Sequence, residues 1–545
     1  MPSERLETIV TITVGETAHA FRGGEVKAFS LDLTSHGLAG FVEIVKTDDE
    51  AHGGATRDDF LVDFLKPDLT EVTIEIEPGH WDASSVTTFP AIKTGGLVTE
   101  KSMTELTFER NVLDAAVLAR RYRLDFADPA RVLFGQHFPF ALYTRKSFKD
   151  VIAAQGITRV VLDSTWEVAN AAVTLLFLNL EARWGRSFHD LLCWYVATNN
   201  GSLSFDHETL AYTLAAAKSA EGEAQVVSKD DIARLTSVFA APTRSKIRVL
   251  DSYTESPSTR LVAEAQAAEG VVHDVVLRSA VAKDVDDRVT LETARLRVPP
   301  REIEISFARY PTVPVVPGSL LLLGASGGLP SGLSLPDQPM RVWRLQIEAT
   351  AIGASPDDDK GIGGGGYEVS FLARLEGKDD ATLRLPRYEA PRYPGYFEGK
   401  IVSEVGEDKE VTYQFSTDDA TKLDSYKIKV PLFPDQIIDA PYEPIQGSGL
   451  FYTPAYRDSR VLVAAEFTEA RIERLLDWRP GARVAAEGQG DHLLFGKSDK
   501  SKTSVLHDYQ EEKPVFSITR TNDKDTAQVT ISEGKLMIQV KEQPE

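Results

Sequence analysis

Cysteine is almost absent: the 545 residues include one, Cys193. A single thiol excludes an intrachain disulfide and any site built from several thiolates, and between Leu192 and Trp194 it reads as a small buried hydrophobe. Basic residues are in deficit. Lys and Arg number 60 against 82 Asp and Glu, a formal net charge of -22, whereas a sequence-independent grip on phosphates needs clustered cations. No nucleic acid is expected as a partner. No segment supplies the roughly 18 apolar residues of a spanning helix; the run from Ala171 to Leu180 is too short and reads as a buried strand or helix core. The opening Met1-Pro2-Ser3-Glu4-Arg5-Leu6-Glu7 alternates charges where a secretory leader carries an apolar centre. Cytoplasmic folding is expected, which leaves open export by a machine that carries the protein as a part.

What is present is ordinary globular composition: 42% hydrophobic, 26% charged and 9% aromatic residues, with no bias toward disorder or collagen. The length exceeds what one core fills, so three or four domains are expected.

Residues 1 to about 145 read as short strands. Thr8-Ile9-Val10-Thr11-Ile12-Thr13-Val14 alternates strictly, as do Val72 to Ile76 and Glu105 to Phe108. From Ser147 the period becomes helical: Phe148, Val151 and Ile152 mark one short helix, and Phe188, Leu191, Leu192 and Tyr195 a second. Ser187 is its expected N-cap, with Asp190 three positions on, and Asn200-Gly201 its stop. Leu203 to Phe205 and Leu210 to Leu214 read as strands, and the polar stretch 220–240 as a solvated helix or connector.

Strands resume between about 245 and 385, notably Glu302 to Ile305, Leu320 to Leu323, Val342 to Ile347 and Glu368 to Leu375. Ser355 to Lys360 and Gly361 to Gly366 read as a flexible exposed loop between two of them. Beyond Pro394-Gly395, strands at Phe397 to Val402, Val411 to Phe415, Tyr426 to Val430, Arg460 to Ala465 and His492 to Phe495 suit a small five-stranded barrel. Alternation continues through Val529, Ile531, Leu536, Ile538 and Val540 around Ser532-Glu533-Gly534-Lys535. A lone hairpin is marginal in water, so these apolar faces require a cover, and copies of the same chain are the simplest one.

Three patterns suggest chemistry. Gly324-Ala325-Ser326-Gly327-Gly328 fits a nucleophile elbow after the run Leu320 to Leu323, but Leu329-Pro330-Ser331-Gly332 cannot start the helix that a hydrolase needs, so a structural loop is expected. The glycines at 361–366 match a dinucleotide fingerprint, yet a strand follows where a helix N-terminus is required. His189-Asp190, His273-Asp274 and His507-Asp508 are sequence neighbours whose side chains diverge, and read as surface polar residues. No catalytic residue, metal ligand set or cofactor is expected.

Several local patterns in this order resemble the hub-and-spike proteins of contractile injection systems, the VgrG-like family of type VI secretion and phage-tail-like particles. In the first part these are Ser187 to Leu192, then Asn200 to His207 with Tyr212-Thr213-Leu214. Next come Pro317-Gly318 to Leu323, Val342 to Ile347 and Tyr367 to Leu375, similar to the closing strands of a hub. Gly447 to Pro454 with Asp458 to Ala464 resembles the segment crossing an OB barrel, and His492 to Phe495 leading to Thr503 to His507 resembles the lead-in to a trimeric β-prism.

The resemblance implies a mainly β fold with minor α: two barrel-like hub domains, an OB-fold barrel and a short C-terminal trimeric β-prism or β-helix. The corresponding limits are 1–235, 236–390, 391–500 and 501–545. It implies a non-enzymatic homotrimer with Val529, Ile531, Leu536, Ile538 and Val540 at the trimer axis. Inner tube protein, baseplate components, a small PAAR-like tip protein and effector cargo are the implied partners, with assembly in the cytoplasm and outward delivery. The competing readings are a secreted serine hydrolase using Ser326 and a monomeric β-rich binding or adhesion module.

Overall fold

The computed structural model describes residues 3–542 apart from 49–55, 80–88, 109–115, 220–221, 240–243, 253–257, 263–266, 280, 296–300, 334, 336–337, 354, 360–363, 403–414, 420, 422, 443–456, 458, 478–490 and 499. The chain divides into two compact units: residues 1–139, 148–171 and 180–391 form the first, and 140–147, 172–179 and 392–545 the second.

The chain opens with β1 (Ser3–Val14), β2 (Val26–Thr34), β3 (Gly37–Asp48), β4 (Thr70–Pro78), β5 (Ile92–Phe108) and β6 (Val117–Ala127). The hairpin strands β7 (Phe140–Lys146) and β8 (Val173–Asn179) follow, and far along the chain come β9 (Met340–Ala351) and β10 (Gly364–Gly377). Within the first unit a closed circuit of pairing runs β1–β4–β5–β6–β3–β2–β9–β10 and back to β1. Strict alternation is why it closes: each strand turns one set of side chains inward, where Val10, Ile12, Ile74, Leu124, Ile347 and Val369 lose all exposure. Tyr367 anchors the seam, its hydroxyl donating to Val26 O at 2.9 Å and sharing a 3.2 Å hydrogen bond with the Thr8 hydroxyl.

A buried polar centre sits beside this circuit. Asp128 caps the helix Pro129–Leu133 by accepting from Arg131 N at 2.9 Å, and also receives the Tyr212 hydroxyl and Leu38 N. His207 donates from Nε2 to Thr34 O at 2.9 Å, which leaves Nδ1 to accept from the Thr94 hydroxyl at 3.1 Å. Burial pushes His207 and His36 down to about 4 and lowers His189 as well, so the imidazoles are held neutral. Burial likewise pushes the Cys193 thiol up, keeping it protonated.

Helix α1 (Phe188–Thr198) has the expected capping box: Ser187 and Asp190 exchange hydrogen bonds, and Phe188, Leu191, Leu192 and Tyr195 are buried. Asn200 stops it in a left-handed conformation, φ 55°. Gly201 follows because a Cβ there would lie 2.4 Å from the Trp166 ring.

Several sequence expectations need correction. Of the stretch 220–240, read as a solvated helix or connector, only Lys229–Asp231 is helical among the described residues, a single 3-10 turn capped by Ser228. Ile232–Val238 is an edge strand paired to Glu302–Phe307, because Ile232 and Leu235 supply enough apolar contact to extend the sheet. A helix stands at Ala282–Arg295, where strands alone were expected; Val285 and Val289 cover the small sheet of Lys246–Asp251, Ser258–Val262 and Val272–Leu277. Ser355–Asp359 does not swing free. Lys27 Nζ donates to Asp358 O at 3.1 Å, and Asp359 sits so close over Gly24 that a Cβ there would meet its carbonyl at 2.4 Å. Residues 361–363 lie outside the described residues, while Gly364 to Gly366 open β10 and pair with β1.

In the second unit β11 (Gly395–Ile401), β12 (Asp424–Val430), β13 (Phe433–Tyr442), β14 (Arg460–Ala465) and β15 (Ala470–Asp477) close a five-stranded barrel. The circuit runs β11–β14–β15–β13–β12–β11. One of its strands differs from expectation: His492–Phe495 belongs to the C-terminal sheet. Residues 411–414 lie outside the described residues, as does the segment 447–454, while Phe415–Thr417 is a strand paired to β12. β13 and β15 were not expected. β13 carries two prolines and two aspartates and β15 carries Arg-Ile-Glu-Arg, so neither alternates cleanly, yet Ile438, Ala440 and Ile472 point into the core.

Candidate assembly interface

The chain ends in an antiparallel meander: β16 (Asp491–Ser498), β17 (Ser501–Gln510), β18 (Lys513–Asn522), β19 (Asp525–Ser532) and β20 (Lys535–Lys541). Short turns fix its register. Glu511 and Glu512 both adopt left-handed conformations, φ 49° and 64°, giving the primed two-residue turn whose twist matches the strands. Gly534, φ 68°, serves the turn between β19 and β20.

That register aligns side chains in cross-strand rows on one face. The central row is Leu493–Val505–Ile518–Val529–Ile538, flanked by Phe495–Thr503–Arg520–Ala527–Val540 on one side and His507–Phe516–Ile531–Leu536 on the other. Val529, Ile531, Leu536, Ile538 and Val540, singled out from the sequence, therefore share one surface. The sequence reading missed that Leu493, Phe495, Phe516 and Ile518 continue it, although their alternation was visible; only the pairing of all five strands joins them.

The apolar face of this sheet is open to solvent. Ile531, Leu536, Ile538 and Val540 are 50%, 68%, 71% and 65% exposed, and Leu493, Phe495, Phe516 and Ile518 are exposed too. The opposite face carries Ser504, Thr519, Gln528 and Gln539 in one row and Leu506, Ser517, Thr530 and Met537 in another; Val515 and Ser517 on that side are buried, and Met537 is exposed. A solvated antiparallel sheet keeps its apolar face covered and its polar face wet. An exposed apolar patch of this extent marks an interaction surface. β20 also pairs on one edge only, leaving its outer backbone groups unsatisfied by any strand among those described.

The patterns that suggested chemistry have structural explanations. Ser326 lies exposed in the turn Ala325–Gly327. Gly327 is required because a Cβ would fall 2.0 Å from Val227 O, and Gly328 because its φ is 79°. Of the His-Asp neighbours, Asp190 caps α1 while His189 is turned inward, a correction to its surface reading; Asp274 pairs with Arg248 at 2.7 Å, and Asp508 accepts from Tyr509 N.

Mainly β structure, a strand circuit closing on itself, a five-stranded barrel and a C-terminal β-meander together define the fold. The chain has the VgrG-like spike fold. It superposes on a chain of the Francisella PdpA-VgrG complex, half-lidded, with a TM-score of 0.71 at 13% identity, covering 98% of this chain and 88% of that one. The lidded Francisella form gives 0.71 and 13%, covering 99% and 80%. The lidless PdpA-VgrG form gives 0.70 and 12%, covering 99% of both chains. No family model matches the sequence, and no curated relative matches it.

Proposed function

We propose that the protein is the structural hub and spike of a contractile injection machine of the type VI secretion or phage-tail-like kind, and that it works as a homotrimer. The C-terminal sheets of three copies close face to face around a common axis, with Val529, Ile531, Leu536, Ile538 and Val540 at its core. The observation that carries this reading is the exposed apolar face of the meander. Each square ångström of apolar surface removed from water contributes about 25 cal/mol, and three identical faces bury one another simultaneously.

The same geometry suits the work. A closed, interdigitated core has low compressibility, so a rod built from it transmits the thrust of a contracting sheath without any reacting group. The hub engages the inner tube and baseplate components, and a small PAAR-like tip caps the C-terminal sheets, whose outer edge on β20 requires a cover. Effector cargo travels with the spike. Assembly takes place in the cytoplasm, followed by outward delivery. Leu536→Asp and Ile538→Asp test the reading, because a carboxylate at the axis is desolvated in three copies at once. Light scattering should show loss of the trimer at dilute concentration with the chain still folded; an unchanged trimer contradicts the proposed axis.

A further inference from the structure

The barrel of the second unit is not made from a continuous piece of chain. Its apolar core contains Phe397, Ile401, Tyr426, Ile428, Val430, Val461, Val463 and Ile472 from its own strands, but also Leu142 from β7 and Leu175 and Phe177 from β8. Phe177 is fully buried, its ring 5.3 Å from that of Phe397 in an edge arrangement. Gly395 in β11 has no side chain because a Cβ would lie 2.6 Å from the Phe177 ring. The hairpin is also bonded in through its backbone. Phe177 N donates to Phe467 O at 2.8 Å, the Tyr393 hydroxyl donates to Phe177 O at 2.6 Å, and Asn179 Nδ2 donates to Arg392 O at 3.2 Å. At the other strand Thr144 N and Oγ1 both donate to Gln436 Oε1, at 3.0 and 2.5 Å, while Phe140 stacks on Phe433.

We infer that β7 and β8 are an integral part of the barrel, a clasp supplied from more than 200 residues upstream, so that hairpin and barrel gain and lose structure as one cooperative element. The chain passes between the units at 139/140, 147/148, 171/172, 179/180 and 391/392. Within the second unit, opening the hairpin away from the barrel means extracting a fully buried aromatic side chain, Phe177. The inference does not depend on the number of copies in the assembly or on the machine it serves.

Peptide-resolved hydrogen exchange on the full chain tests it. Ile428→Ala lies in the barrel and touches no part of the hairpin's own backbone pairing. It should accelerate exchange in β11 and in β8 by the same factor, about tenfold or more for a buried aliphatic truncation, and leave α1 unchanged. Acceleration of β11 with β8 unaltered would overturn the inference. Should that variant fail to fold, the wild-type protein in graded urea gives the same discrimination: β7 and β8 amides joining the opening of β11 supports the clasp, and joining that of α1 refutes it.

Discussion

The strand circuit of the first unit and the C-terminal meander are written in the same alternating code and end in opposite states. In the circuit, β9 and β10 return from the far side of the sequence to close on β1 and β2, so that Val10, Ile12 and Ile347 are completely shielded within one chain. In the meander each strand pairs only with its sequence neighbours, the sheet does not close, and Leu536 and Ile538 remain 68% and 71% exposed. The difference teaches that alternation specifies a face and not what covers it. Long-range closure supplies the cover in the first unit; in the meander no described residue supplies one, and the proposed trimer would.

That contrast yields graded expectations. Tyr367→Ala removes a fully buried ring and leaves Val26 O without its donor, so the first unit should lose about 3–5 kcal/mol in denaturant unfolding with the oligomeric state unaffected. Acidification comes next. His36 and His207 sit near 4 in the fold and near 6.5 when unfolded. The folded state refuses protons that the unfolded chain accepts, so the stability they contribute is fully present above about pH 6.5 and is lost as pH falls toward 4. Thermal melts at stepped pH should show this decline, and replacing both histidines with asparagine should flatten its slope over that window. Asp128, Asp32 and Asp206, which face these rings, oppose the depression without cancelling it.

Ile538→Ala should be silent in an isolated chain, where the side chain is already wet, yet cost about 1.5–3 kcal/mol per copy in the assembled protein. It should therefore appear as a Tm that depends more steeply on protein concentration. A Tm lowered equally at all concentrations would erase the contrast between the two sheets. The smallest effect expected is a gain: Glu512→Gly relieves a left-handed non-glycine residue in the turn between β17 and β18 and should stabilise the meander by about 1 kcal/mol, seen as a higher unfolding midpoint.

Much of this was legible locally. Thr8 to Val14 announced β1, and Ser187, Asp190 and Asn200 announced both ends of α1, because capping and alternation act within a few residues. That Val529, Ile531, Leu536, Ile538 and Val540 share one face was legible for the same reason. Less visible was anything decided by distant partners. Nothing in Ala171 to Leu180 distinguishes a strand of the first unit from one that completes the barrel core beside Phe397, and the run looked equally like a helix core. β13 and β15 were missed because their apolar residues are irregularly spaced; pairing, not pattern, makes them strands. The loop at Ser355–Asp359 looked free because its anchors, Gly24 and Lys27, lie more than 300 residues earlier. His36 drew no notice in sequence, and His207 only as the end of a local pattern, since burial is the main influence on both rings.

Native mass spectrometry or multi-angle scattering of the purified full-length protein, followed down a dilution series, addresses the covering of the C-terminal face most directly. A mass of three chains that persists into the nanomolar range is predicted. A well-folded single chain with Leu536 and Ile538 open to solvent at every concentration would contradict it.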